Sequence, residues 1–433
     1  MNIRLYNARI LTMEKNRPIF SGEIWVKNEK IVCVVDKDNE SEEGAGELPD
    51  VSWEMELDCR GNLLMPGFKD AHTHSAMTFL RSYADDLPLQ GWLNDKVFPL
   101  EKKLTGEDIY DLTRLAILEY LTSGITAVFE MYLTPDTIAQ ACMDMGMRCV
   151  LTSGLNDFTS SIGEVEEQYV KWNKKDSLIS YQLGFHAEYT CSKALLYRVS
   201  QLAHKYQAPV FTHLAETEKE VEDCRKKYGM TPAVFLDTMG IFDYGGGGFH
   251  CVHMSDNDME VFRRRRLCVI TNPASNVKLA SGIAPIAEFE KHKIAVAIGT
   301  DGPASNNCLD MFREMFLVSG LSKLREKDAA SMDAMRVLQM ATVQGAKTMR
   351  LSSADVLAKG KLADIIMIDL HQPNMHPVHN VPKNLVYSGS KSNVLMTMIA
   401  GRILYRNGEF FVGEDPEGIY EKCDRIARRI TGG

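Results

Sequence analysis

The first residues able to do chemistry together are His72-Thr73-His74. In an extended strand, residues i and i+2 project to one face, so both imidazoles can reach a single ion. Taken alone, His-x-His is a weak signal, more often chance or satisfied core histidines than a metal site. Its setting favours the metal, because it follows an apolar strand ending at Pro66-Gly67-Phe68, and barrel sites lie at the carboxyl ends of strands. His213 ends another apolar run, Pro209-Val210-Phe211-Thr212, and can complete a facial set of nitrogen ligands. Glu216, three residues later, is placed to act as acid or base. The competing reading is a surface carboxylate opening the charged segment Glu216-Thr217-Glu218-Lys219-Glu220, since acidic first turns are common. His250 ends Gly248-Phe249 at the position corresponding to His213, whereas His253 reads as a helix-start residue. Asp301 follows a strongly apolar strand over residues 294–300, and an acid there must be hydrogen-bonded, paired or metal-bound. An Asp-Gly turn cap is the alternative, and Asp301-Gly302-Pro303-Ala304-Ser305 can bring Ser305 over the same site.

The constellation is far more specific than any member. Histidines and a carboxylate at predicted strand ends make a mixed nitrogen and oxygen site suited to one divalent ion, zinc first, with iron(II) or manganese(II) as alternatives. The ten cysteines include no Cys-x-x-Cys, which disfavours structural zinc. His186-Ala187-Glu188 mimics the His-x-Glu of cytidine-deaminase-type enzymes, but the Pro-Cys-x-x-Cys those enzymes need is missing.

Positioning such residues needs repeated strand ends on one rim. Residues 67–360 alternate apolar runs with helical stretches: strands are expected at 127–132, 148–153, 179–186, 209–213, 248–252, 267–271 and 294–300. The clearest helix spans 107–123, with Thr105 to cap it, Asp108 three residues on, and Gly124 as its stop. Strands separated by helices imply parallel βαβ units, and a strand at 63–68 completes eight, so the fold class is α/β, a (β/α)8 TIM-type barrel. Both ends of the chain read as β-rich, with strands at Ile3-Arg4-Leu5-Tyr6, Gly22-Glu23-Ile24-Trp25-Val26, 30–35, 363–368 and Ile403-Leu404-Tyr405. Asn407-Gly408 signals a hairpin, and the acidic stretch 38–50 a surface loop. Residues 1–66 and 361–433 are therefore expected to build one small β-sandwich beside a hydrolase barrel at 67–360.

Bulk properties narrow the partners. A net charge of −9 makes a polyanionic nucleic acid an unsuitable partner, and the Arg263–Arg266 run reads as a solvated helix end or loop. No apolar run of about 18 residues appears, so no membrane span is expected. With no export signal at Met1-Asn2-Ile3-Arg4-Leu5, the chain is expected to be cytoplasmic with reduced, buried thiols. A small molecule is the expected partner, and a homo-oligomer is left open.

These landmarks resemble the amidohydrolase superfamily, and within it the 5′-methylthioadenosine/S-adenosylhomocysteine deaminase group in the branch of chlorohydrolases and guanine deaminases. The similarity runs through Pro66-Gly67-Phe68 with His72-Thr73-His74, Pro99-Leu100-Glu101, His213-Leu214-Ala215-Glu216, His250-Cys251-Val252-His253, Asn272-Pro273-Ala274-Ser275-Asn276, Gly299-Thr300-Asp301-Gly302 and Gly360-Lys361-Leu362-Ala363-Asp364-Ile365. The resemblance implies metal ligation by His72, His74, His213 and Asp301, ribose contact by Glu101, a sugar-side position for His186, and Glu216 at the purine ring. It implies that His250 polarises the attacking water or the tetrahedral intermediate. No lysine occupies the strand ending at His186, which argues against a two-metal cyclic-amide hydrolase. Where the group carries an arginine this chain has Ser153, a second arginine expected near residues 161–165 is absent, and Thr271 replaces a frequent histidine. A neutral-tailed nucleoside such as methylthioadenosine or adenosine is therefore favoured over S-adenosylhomocysteine. The expected reaction is hydrolytic deamination at purine C6, with Glu216, His250 and Asp301 as the catalytic groups. The rivals are deamination of a free aminopurine, pterin or aminotriazine, and a barrel that binds ligand without turnover.

Overall fold

The computed structural model describes residues 1–39, 52–83, 85–87, 91–175 and 178–432. The expected acidic loop therefore lies, from residue 40 onward, outside the described residues. Five strands open the chain: β1 (Asn2–Ile10), β2 (Phe20–Lys27), β3 (Lys30–Asp36), β4 (Met55–Asp58) and β5 (Leu63–Pro66). The barrel strands follow: β6 (Phe68–Thr73), β7 (Ile125–Met131), β8 (Arg148–Thr152), β9 (Ile179–Tyr181), β10 (Leu183–Ala187), β11 (Val210–Leu214), β12 (Gly246–His250), β13 (Cys268–Thr271) and β14 (Ala295–Ile298). β15 (Ile365–Ile368), β16 (Val394–Ile399), β17 (Arg402–Arg406) and β18 (Glu409–Phe410) return to the N-terminal strands. One nine-stranded sheet joins β1–β5 to β15–β18, and its apolar core includes Ile3, Leu5, Ile24, Ile365, Met367 and Met398.

All barrel pairings are parallel, in two arcs, β6 to β9 and β10 to β14. The strand expected at 179–186 is interrupted at Gln182, whose N–H turns to the Leu151 carbonyl (2.8 Å), so β9 and β10 share one of eight barrel positions. The expectation of a barrel strand at 63–68 is corrected. Leu63–Pro66 pairs with β15 and β1 in the terminal sheet, and the chain re-enters as Phe68–Thr73 beside β7. That strand reads as polar because it carries Lys69 and Asp70, yet both are fully buried; Lys69 Nζ donates to the Gly67 carbonyl and to Thr126 Oγ1 (both 2.8 Å). β12 begins two residues earlier than expected, in a glycine run that looks like a loop. A methyl on Gly247 would meet the Cys268 carbonyl at 2.5 Å, so close strand approach excludes any side chain there.

Local signals elsewhere hold. The helix Gly106–Thr122 starts at a Thr105–Asp108 capping box. Asn407 (φ 51°) and Gly408 (φ 88°) turn β17 into β18. Arg263–Arg265 form the last turn of the helix Asp256–Arg265, paired with Glu260, Asp237 and Asp243. All ten cysteines are free thiols, and no described helix is long and apolar enough to cross a membrane. The helix Pro416–Thr431, absent from the sequence expectations although Asp415 caps it, Pro416 opens it and Gly432 ends it, packs on Gly106–Thr122, where Arg429 pairs with Asp108 and Lys103 Nζ reaches the Ile430 carbonyl (3.0 Å).

The barrel interior is filled, not open. Phe129 meets Phe211 and Phe249 edge-to-face at 5.0 and 5.8 Å between centroids. Barrel and terminal sheet are joined by the buried pair Arg148–Asp364, with Nε to Oδ2 at 2.7 Å and Nη2 to Oδ1 at 2.9 Å; the same carboxylate accepts from Ala400 N–H (2.8 Å). Removing one partner strands a buried charge, so Asp364→Ala should cost about 3–5 kcal/mol of stability. Calorimetry checks this: the single variant should melt well below the parent, and Arg148→Met with Asp364→Leu should recover part of the loss.

Candidate active site

The carboxyl ends of the barrel strands bring the predicted residues to one mouth. His72 lies near the end of β6 and His74 just beyond it, His213 is in β11, His250 closes β12, and Asp301 follows β14. Ring centroids of His72 stand 4.8 Å from His74, 4.9 Å from His213 and 5.9 Å from His250. Asp301 Oδ1 lies 3.2 Å from His74 Nε2 and 3.6 Å from His72 Nε2. His72 stacks on Phe249 at 3.8 Å, so the site rests on the aromatic filling of the barrel.

Hydrogen bonds set the outward nitrogen of His74 and His213. His74 Nδ1 is bonded to the Met131 carbonyl, and His213 Nδ1 to the His186 carbonyl (2.8 Å). Each contact makes Nδ1 the donor and turns Nε2 toward the cluster, the arrangement that orients metal-ligating histidines. His72 is fully buried, and neither of its ring nitrogens has a hydrogen-bond partner among the described residues. Burial and the neighbouring His74 and His213 hold it neutral, well below its ordinary pKa; burial with His186 and His250 does the same for His213. Burial opposes protonation of His74, but the Asp301 carboxylate outweighs it and lifts the imidazole to about 9. Neutral imidazole lone pairs and a carboxylate arranged around a preferred positive charge fit a divalent cation. Two overlapping groups lie close enough to share one ion, His72 with His74 and Asp301, and His72 with His213 and His250.

The backbone at these strand ends is unusual. Ala215, His250, Cys251 and Asp301 have φ of 49°, 69°, 51° and 60°, a left-handed conformation costly for residues with a Cβ. Buried carboxylates hold the chain there. Asp70 accepts from Thr300 N–H (2.8 Å) and Thr300 Oγ1 (2.6 Å), while Asp301 N–H donates to the His72 carbonyl (2.9 Å), closing β6 against β14. Glu130 accepts from Ser75 N–H and pairs with its hydroxyl; Tyr120 bridges Ser75 Oγ (2.9 Å) and Thr73 Oγ1 (2.7 Å), pinning both flanks of His74. Asp301 Oδ2 accepts from Ser275 (2.6 Å) and Ser305 (2.8 Å), so the Ser305 hydroxyl is engaged with the carboxylate it was expected to accompany. Ser275, and Asn276 bonded to His250 Nδ1 (2.8 Å), were landmarks in sequence without an assigned task.

A cavity of about 610 Å³ opens above this cluster and is lined also by Glu101, His186, Glu216 and Ser305. Glu216 is buried, not the surface carboxylate of the competing reading; Oε2 lies 3.9 Å from His250 Nε2, and burial raises its pKa. Asp301 moves the other way: against the effect of burial, His74 keeps it well below the ordinary carboxylate range. Burial lifts Glu101 to about 7 and depresses His186 to about 4. His253 does not line the cavity; its Nε2 meets the Ser281 carbonyl (2.7 Å).

Glu314 supports the Asp301 loop from behind. It accepts from Ala274 N–H (3.0 Å) and Asn306 Nδ2 (2.8 Å), and burial raises it to about 8. The folded protein therefore holds a proton that the unfolded chain releases near its ordinary pKa, so this group's contribution to stability falls as pH rises toward 8. Glu314→Gln should flatten the decline in melting temperature between about pH 5 and pH 8. Parallel declines in parent and variant would mean that Glu314 is ionised throughout.

The Amidohydrolase family model matches residues 63–404. The 5-methylthioadenosine/S-adenosylhomocysteine deaminase of Thermoanaerobacter pseudethanolicus is 36% identical over 443 residues, covering 99% of each chain. That of Syntrophomonas wolfei is 40% identical over 396 residues, covering 90% of this chain and 92% of its own. A crystal structure of an adenosine deaminase from Xanthomonas campestris with bound zinc superimposes with a TM-score of 0.92 at 31% identity, covering 100% of this chain and 98% of the other. Guanine deaminase from C. acetobutylicum shares the fold at a TM-score of 0.81 and 20% identity, over 94% of this chain and 100% of its own. With its metal-ready cluster at the mouth of such a barrel, this chain belongs to the amidohydrolase family.

Proposed function

We propose that this protein is a metal-dependent hydrolytic deaminase of adenine nucleosides, preferring 5′-methylthioadenosine or another neutral-tailed nucleoside and releasing ammonia and the inosine analogue. The observation that carries the reading is the opposite tuning of two buried carboxyls in one cavity, Asp301 pushed down and Glu216 pushed up. Such a divided pair assigns a base and an acid.

His72, His74, His213 and Asp301 would hold one divalent ion, zinc on the chemistry of the donors. When bound, such an ion lowers the pKa of water from about 15.7 toward about 7, making hydroxide available at neutral pH. Asp301 takes the proton from the attacking water as its oxygen adds to purine C6. Glu216, whose pKa burial raises, gives a proton to the ring nitrogen beside that carbon. His250, whose Nδ1–H is held by Asn276 Oδ1, keeps its Nε2 lone pair toward the site, where it accepts a hydrogen from the attacking water and polarises it. Proton return through Asp301 and Glu216 to the exocyclic amine then lets ammonia leave and the C6 oxo form remain.

Across the mouth, Glu101 and His186 suit the ribose, and the cavity continues over β7, β8 and β9. That side is lined by Leu133, Ser153, Asn156, Gln168 and Tyr181, with the carboxylate of Glu164 and no arginine among the described lining residues. A tail carboxylate would meet no guanidinium there, and Lys102, beside Glu101, is the one lysine of the described lining.

Glu216→Gln should lower kcat by about 10²–10⁴-fold with metal content unchanged; full turnover would remove Glu216 from the mechanism. Ammonia release should be faster from methylthioadenosine and adenosine than from S-adenosylhomocysteine, and a reversed order would end the neutral-tail reading. Glu101→Ala should raise KM for nucleosides while leaving free bases unaffected. An equal effect on both, or guanine as the best substrate, would favour a free-base deaminase.

A further inference from the structure

Glu216 has little of its own to hold it in place. Among the described residues its carboxyl meets only Ser281 Oγ (3.4 Å) and His250 Nε2 (3.9 Å), both long. The aim of the side chain must come from the backbone beneath it, and that backbone is strained: Ala215, between Leu214 and Glu216, has φ 49°. Two consecutive N–H groups of this turn converge on one carboxylate. Ala215 N–H donates to Glu220 Oε1 (2.7 Å) and Glu216 N–H to Glu220 Oε2 (2.8 Å). On the opposite side the Ala215 carbonyl accepts from Val252 N–H (3.0 Å) and His253 N–H (2.9 Å), immediately after the left-handed pair His250 and Cys251.

Glu220 itself is fixed from behind. It lies in the first turn of the helix Glu218–Tyr228, where Thr217 caps its N–H (3.2 Å). That threonine already serves as the N-cap, so the helix start does not require a buried carboxylate at residue 220. The position is electrostatically unfavourable: Glu220 is buried with Glu216 and Glu188 as neighbouring acids. A carboxyl kept in such surroundings needs a compensating task, and its two oxygens are spent on the turn that carries Glu216.

We propose that Glu220 is a positioning residue for the reaction. Its two-oxygen grip on the Ala215 and Glu216 N–H groups holds the left-handed turn, aims the Glu216 carboxyl into the cavity, and locks that turn to the one bearing His250. The proposal rests on the reading of Glu216 as the proton carrier.

The test is a double-mutant cycle on the metal-loaded enzyme with methylthioadenosine or adenosine. Glu220→Gln can accept only one of the two N–H bonds and should lower kcat about tenfold or more, with KM changed less than about threefold and metal content unchanged. Glu220→Asp keeps the charge but shortens the reach, and should share the loss of kcat. In the Glu216→Gln background, Glu220→Gln should cost less than about twofold, because the group it aims is already disabled. An equal loss in both backgrounds would reduce Glu220 to a general structural role and overturn the proposal. Parental kcat in Glu220→Gln, or in Glu220→Asp, would overturn it as well. Full turnover in Glu216→Gln alone would instead bring down the acid–base reading, and the positioning role with it.

Discussion

Five imidazoles and the carboxyls of Glu101, Glu216 and Asp301 share the mouth of one barrel, and low dielectric punishes every polar atom there that lacks a partner. The protein meets this constraint by committing one atom of a group to the scaffold and leaving another for chemistry. His74 and His213 give Nδ1 to backbone carbonyls, and Asp301 gives Oδ2 to two serines. His72 alone is left with both nitrogens unpartnered among the described residues, at the centre of the ring of donors. A buried imidazole left unsatisfied beside other histidines and a carboxylate fits a cation.

The same constraint explains the strain nearby. Turning side chains back over the mouth requires left-handed backbone at Ala215, His250, Cys251 and Asp301, none of them glycine. Buried acids stitch adjacent segments: Asp70 closes β6 onto β14, Glu130 holds the segment around His74, and Glu314 ties the Ala274 and Asn306 segments. Burial raises all three, to about 7, 7 and 8, so the site is surrounded by carboxyls whose role is to accept hydrogen bonds from the chain. Strain of this kind persists only where the surroundings over-determine it.

Chemistry follows from asymmetry within the ring. Asp301 faces imidazoles and stays ionised, whereas burial of Glu216 outweighs what His250, Ser281 and His74 offer its carboxylate. The cavity extends away from this pair over β7 to β9, lined there by neutral hydroxyls, amides and apolar side chains together with Glu164. On the proposed reading, reactivity and tail preference fall to different arcs of one rim.

Local patterns made much of this readable from sequence. Spacing of two along a strand paired His72 with His74, apolar runs ending in His213, His250 and Asp301 marked strand ends, and capping and turn residues located the helix from Gly106 and the hairpin at Asn407-Gly408. Each of these depends on neighbours within a few residues. What the sequence could not reveal depends on residues far away. Lys69 and Asp70 hide β6 because their partners, Thr126 and Thr300, come from other strands; the glycines of β12 look like a loop until β13 closes on them. Likewise Ser275 is a landmark without a task in sequence, and Glu130 is an unremarkable polar residue there. Only the closed barrel brings the oxygens of Ser275 and Glu130 to Asp301 and Ser75, because hydrogen-bond complementarity across the fold leaves no periodic trace along the chain.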